Sequence, residues 1–419
     1  MDTGPELVTS GDPIGRFRLR TLRFEGRRLS VAVVLAAVCA VVATVALADL
    51  AARSAVVLNA RWDAFMYHLP FAALRGGPSI PYDMNDTMRP LFDGFPPLAD
   101  LVQGLLWRAT GSVNATGVVN FGAFVLFLAY CRRVLRASFW LVALICLTAP
   151  MVLIHTAVSY VDLFGNSFLA IGVASCLHVY LFPERRSRAV VVGGMAALAA
   201  AAWSKYLLVP IVGVVFVLFV VVVLRSAGAD RFGRNQCVAI VLVFATLAAA
   251  PYAKNLVVYG NPFWPLRVPV VGALLPYLLD AGFLADTERP ASLRGAPQAQ
   301  VFARSLFEID VSTSYPNRAR WIIDQGNASA GFRMGGFWGL GAAVYLLVAF
   351  GMLVACRGRR GVIAGIAGVG LLGFVAFLPQ FLTCSRPRPT RLAVFGRPTH
   401  AWARSGHRSW PPSRPSPPT

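Results

Sequence analysis

Apolar runs about as long as a bilayer is thick recur along this chain, separated by short arginine-bearing turns and two long polar stretches. A hydrocarbon core about 30 Å thick takes about 20 helical residues at 1.5 Å each, and backbone in lipid must satisfy its own hydrogen bonds. The pattern predicts nine spanning helices, near 29–48, 115–131, 138–156, 160–181, 189–204, 206–224, 236–252, 336–355 and 361–382. The expected fold is an all-α polytopic membrane protein. Two long segments, 49–114 and 253–335, become loops on one face that carry interfacial helices. Residues 189–224 have arginine at both ends, so this stretch must turn back on itself. Its 36 residues measure roughly 54 Å as helix, short of two full crossings. The turn, Trp203-Ser204-Lys205-Tyr206, is therefore expected at or just below headgroup level.

Composition agrees. The 419 residues are 57% hydrophobic and 14% charged, against about 25% charged in soluble domains. Disorder is excluded for most of the length, because disordered chains are poor in apolar residues. The net charge of +20 would suggest nucleic acid, but its placement argues for topology. The arm 1–28 and the turns 132–137, 182–188, 225–235 and 356–360 hold 18 basic and 6 acidic residues, while the two long loops hold 13 and 12. Positive residues collect on the cytoplasmic side. The expectation is a plasma-membrane protein with a cytoplasmic N-terminus and no nucleic-acid partner. The first span reads as an anchor, since no small-residue cleavage site follows the basic arm. The tail 383–419, rich in Arg, Pro and Ser, is not expected to pack and reads as foreign to the fold. Seven cysteines sit in or beside apolar runs without metal-site or disulfide spacing, so they are expected as small core residues.

Chemistry is expected in the long loops and the span ends beside them. The segment Arg61 to Pro70 places Trp62, Phe65, Met66 and Leu69 on one helical stripe suited to the membrane interface. Asp63 and Tyr67 share one flank, with His68 on the other side. A carboxylate just above the membrane suits a general base or a metal ligand. A solvated aspartate is the bland alternative. Phe95-Pro96-Pro97 opens a second short interfacial helix, structural by default. Asp162 begins the fourth span, where a helix dipole alone would favour an acid. Ionisable groups at membrane depth are nonetheless costly and tend to be functional. Lys205 lies at the turn of the short hairpin, at phosphate height, where snorkelling would also place a lysine. Lys254-Asn255 and Gly260-Asn261-Pro262 follow the seventh span as a tight turn within an aromatic belt. Nucleotide, zinc-protease and serine-hydrolase motifs are absent from the sequence.

In this order, the pieces resemble the polytopic glycosyltransferases of the GT-C class, which use lipid-linked sugars. The likeness is to the bacterial branch of protein mannosyltransferase and aminoarabinose transferase relatives. It rests on Asp63 with Tyr67-His68, Pro96-Pro97-Leu98, Asp162, Lys205, Lys254-Asn255 and Gly260-Asn261-Pro262, and covers about residues 29–382. The resemblance implies transfer of a sugar from a polyprenyl phosphate to an acceptor hydroxyl at the extracytoplasmic face, with inversion. Asp63 would accept the hydroxyl proton or help hold a divalent metal, Mg or Mn. Asp162 would be the second acid, orienting the acceptor, Asp63 or the metal. Lys205, with Lys254, would neutralise the leaving phosphate, and Tyr67, His68 and Asn261 would line the substrate site. Implied partners are the lipid-linked donor, membrane lipids, and a glycan, lipid or protein acceptor. Asp63, Asp162 and Lys205 should then converge in one place.

The alternatives are a transporter or flippase, a polymerase or ligase of lipid-linked glycans using arginine and histidine, and a truncated inactive relative. Internal repeats and mid-membrane polar groups, which favour transporters, are not evident here. Asp63→Asn should abolish transfer and leave membrane insertion intact. Normal turnover of the variant in vesicles would remove Asp63 from catalysis.

Overall fold

A computed structural model describes residues 21–24, 27–56, 64–78, 84, 88–134, 136–147, 150–226, 233–267 and 274–278. Asp63, the spans near 336–355 and 361–382, most of the second long loop and the tail lie outside these residues. The regular structure described is helical except for an antiparallel pair of short strands, β1 (Thr21–Phe24) and β2 (Arg27–Ser30), which the sequence pattern does not predict. Among the described residues, five helices are long and apolar enough to cross a membrane.

The first helix, α1 (Val31–Val56), buries Ala43, Leu47, Leu50 and Ser54, a single stripe at helical spacing. That stripe meets Phe124 and Leu128 of α5 (Ala115–Arg133) and Ala143 and Leu147 of α6 (Phe139–Leu147). The remaining faces expose Val33, Val34, Val38, Val41, Val42 and Val45, which suits lipid. The apolar part of this helix is Ala36–Val56, shifted from the expected 29–48. Asp49 therefore lies inside it, paired at 2.7 Å with Arg53 one turn on.

Of the expected third span, the described residues form α6 and α7 (Pro150–Thr156). The fourth, α8 (Asp162–Leu181), packs along α9 (Arg188–Ala202) and α5. With 15 residues, α9 is about 22 Å long and cannot cross alone. It turns through Trp203–Lys205 and a 3₁₀ turn, Tyr206–Leu208, into α10 (Val209–Ser226), forming the short hairpin that residue counting required. Met195, Leu198, Val212, Val215 and Phe219 form its buried seam. At the far end, Arg186 donates to the Val223 carbonyl, one of the four that α10 cannot satisfy itself.

The last described helix, α11 (Arg234–Tyr259), runs past the expected end at 252, through Pro251. A proline lacks the N–H that would bond the carbonyl four residues back. Here that carbonyl, Leu247, accepts instead from the Trp203 indole, so the hairpin turn is docked on the break. Tyr252 adds a second bond, its hydroxyl donating to the Ala202 carbonyl.

Between α1 and α5 the described residues form only short helices. A π-helical turn, Ala64–His68, leads into α2 (Leu69–Gly76), followed by α3 (Arg89–Gly94) and α4 (Leu98–Thr110). The wider π winding breaks the expected stripe: Phe65 and Met66 stay exposed while Leu69 is buried. α2 and α4 touch backbone to backbone, since a Cβ on Gly104 would sit 2.0 Å from the Ala72 carbonyl oxygen. The five described cysteines are free, and Cys131 and Cys237 are fully buried.

Gly104→Ala should force α2 off α4 and cost about 1–3 kcal/mol, as overpacking does. Gly213→Ala, where an added Cβ meets nothing within 4 Å, should be neutral. Thermal unfolding of the two variants in detergent micelles checks the contrast.

Candidate functional site

The polar groups gather where the N-terminus of α8 meets the α9–α10 turn. The connection 157–161 that delivers Asp162 is pinned from two neighbouring helices. Asn120 of α5 donates to the carbonyls of Val158 and Tyr160, both at 2.7 Å, and its own carbonyl accepts from the Phe164 N–H at 2.9 Å. Gln103 of α4 donates to the Tyr160 carbonyl at 3.1 Å, and Thr116 shares a 2.7 Å hydroxyl bond with Ser159. Buried backbone polar groups must be paired, so these amides fix the path of the loop as well as satisfying it.

Held this way, the Asp162 carboxylate meets the Lys205 ammonium in a direct ion pair. Both side chains are a little over one quarter exposed, at 27% and 28%. The other carboxylate oxygen lies 3.9 Å from His155 Nδ1 of α7. The structure thus brings together two candidates 43 residues apart in the chain, and adds His155, which the sequence reading passed over.

Lys205 owes its position to a buried knot beside it. The Tyr206 hydroxyl lies against the carbonyls of Gly94 and Trp264, which compete for its single proton. Asn255 donates to the Gly94 carbonyl at 2.9 Å and to the Tyr206 oxygen at 3.2 Å. Only glycine fits at position 94, where a Cβ would be 2.4 Å from the Trp264 carbonyl oxygen. The Leu98 N–H, free at the start of α4, donates to the Trp203 carbonyl at 3.0 Å. Two stretches distant in sequence, 94–98 and 255–264, therefore clamp the turn on either side of Lys205.

Next to this stands a second, deeper carboxylate. His68 Nδ1 is 3.1 Å from Asp100 Oδ1, with the two side chains only 6% and 4% exposed. Arg75 Nε lies 3.9 Å from the other Asp100 oxygen, and the guanidinium donates to the Phe92 and Phe95 carbonyls and covers the Phe92 ring. Burial pushes the Arg75 pKa below its usual value, opposed most strongly by the Asp100 charge. The Tyr160 ring separates the two carboxylate clusters, 5.8 Å from the His68 ring and 5.5 Å from that of His155.

The other expected residues divide. Tyr67 is half-buried, its ring edge-on to Phe95 at 6.0 Å. Lys254 is exposed and donates to the Asp93 carbonyl. Asn261 is fully buried and its amide is taken up locally, donating to the Leu266 and Pro276 carbonyls and accepting from the Phe263 N–H. Asp63 is outside the described residues. No group of three or more His, Cys, Asp or Glu among the described residues could hold a metal ion. At Asp162 the Lys205 ammonium takes the place a cation would need, so the described donors do not fit a divalent ion.

Asp100 escaped the sequence reading because an acid in the first turn of a helix is explained by the dipole alone. His155, a lone imidazole inside an apolar run, was the signal available for the other cluster.

A double-mutant cycle of Asp162→Asn and Lys205→Met should show coupling. Either single change leaves a partly buried charge unpaired and should cost about 1–3 kcal/mol, the pair together less than their sum. Thermal unfolding in detergent reads the difference, and strict additivity would mean that the two do not interact. Comparison of the chain with protein-family models, curated proteins and solved structures finds no match.

Proposed function

We propose that this protein is a GT-C-type membrane glycosyltransferase that moves a sugar from a polyprenyl phosphate to an acceptor hydroxyl at the extracytoplasmic face. In this reading the chain crosses the plasma membrane nine times, with its N-terminus in the cytoplasm. The observation that carries it is the Asp162–Lys205 pair, held partly open at the start of one apolar helix and the turn of a short hairpin. A transferase acting on a lipid-borne substrate needs a cation where the phosphate leaves and a carboxylate near the entering hydroxyl. Lys205 and Asp162 supply one of each.

The lipid phosphate, in entering, exchanges places with the Asp162 carboxylate as partner of the Lys205 ammonium. Negative charge building on the leaving oxygen is then neutralised in a partly dry site, where such contacts count for more than in water. Asp162, released, faces the acceptor with His155 behind it. The Tyr206–Asn255 knot keeps the ammonium in register through this exchange, so little reorganisation accompanies the reaction. Inversion follows from direct displacement at the anomeric carbon. A transporter would be expected to place its polar groups in mid-membrane, whereas these stand at helix ends.

In proteoliposomes supplied with polyprenyl-phosphate sugars and a short glycan acceptor, Lys205→Met should lower transfer at least 100-fold, and Lys205→Arg should keep a measurable part. Equal rates for Lys205→Met and the unmodified protein would overturn the assignment. Movement of a solute with no sugar transferred would favour the transporter.

A further inference from the structure

The buried Asp100–His68 pair lies beside the proposed site but has no part in it so far. A simple staple between α2 and α4 does not account for it. Those helices already meet backbone to backbone at Gly104 and Ala72. A buried charged pair often contributes no more stability than apolar residues of similar size. The chemistry of the contact is more specific. A carboxylate that accepts from His68 Nδ1 selects the ring tautomer whose free nitrogen is Nε2, and Nε2 makes no hydrogen bond among the described residues. A carboxylate that fixes the tautomer and orientation of an imidazole is the arrangement by which histidine is prepared as a base.

The surroundings point the same way. His68 ends a π-helical turn, a local form that recurs at functional sites. Facing it are Asp100 of α4, Arg75 of α2, Tyr67 in its own turn, and Tyr160. Beyond Tyr160 stand His155, Asp162 and Lys205.

We infer that His68, oriented by Asp100, is the general base of the transfer reaction, a deepening that rests on the function proposed above. In the step, the acceptor oxygen bonds to the anomeric carbon while the bond from that carbon to the phosphate oxygen breaks. The hydroxyl proton passes to His68 Nε2. The electron pair of the broken bond leaves on the phosphate oxygen beside Lys205, and the imidazolium then gives its proton to water. Asp63 is left with orienting the acceptor, and Asp100 is a positioning residue that acts through the imidazole.

The test is chemical rescue in proteoliposomes with a polyprenyl-phosphate sugar as donor. His68→Ala should lose at least 100-fold in kcat with little change in the donor KM, in the range general bases contribute. Added imidazole should restore a substantial part of the rate to His68→Ala and none to Asp63→Asn or Lys205→Met. Asp100→Asn, which keeps the shape but misdirects the ring, should lose about 10-fold or more and gain nothing from imidazole. His68→Gln serves if the alanine variant does not fold, and a rate near that of the unmodified protein in a folded His68→Gln overturns the proposal. So does a folded His68→Ala that imidazole leaves unchanged. An unmodified protein that transfers no sugar overturns the proposed function itself, and the base role with it.

Discussion

An ion pair at the start of a long apolar helix organises the described part of this protein. Asp162 and Lys205 would each be costly alone where they are partly buried, and each makes the other tolerable. Because the acid opens α8 and the lysine sits in the α9–α10 turn, the pair sets how the short hairpin meets the long helix. The amides of Asn120 and Gln103 hold one partner, and Tyr206 and Asn255 hold the segment of the other.

Around the pair the packing is graded. The seam of α8, α9 and α10 is tightly filled by Met195, Leu198 and Phe219, while α1 and α11 present long valine and leucine faces outward. The charges stand at the end of the filled seam, and the outward faces are apolar enough to suit hydrocarbon. Two carboxylate clusters on either side of the Tyr160 ring give the bundle end two distinct electrostatic environments, one buried and tied to an imidazole, one partly open and tied to an ammonium. Such separation suits a reaction in which a proton and a phosphate depart in different directions.

Much of this was legible in the sequence, because length and hydropathy act locally. The helices at 115–133 and 162–181 fall where their apolar runs place them, and counting residues between Arg188 and Arg225 required a short hairpin turning at Lys205. Helix ends were harder. Asp49 reads as a terminus until its partner one turn later is noticed, and Pro251 reads as a stop although the helix absorbs it. The site was legible as separate candidates and not as an arrangement. Asp162 and Lys205 carried their own signals, while Asp100 became meaningful only beside His68, 32 residues earlier. Asn261 shows the converse, a residue in a suggestive motif whose amide is taken up locally.

The proline in α11 does more than bend. By leaving one carbonyl without its usual donor, it cuts a socket into an otherwise featureless rod, and the Trp203 ring nitrogen plugs it. The socket's address belongs to the proline: sliding that residue by one position would carry the opening about 1.5 Å along the axis and about 100° around it. Alignment of hairpin and rod is therefore encoded by a missing hydrogen atom, which a greasy interface could not specify.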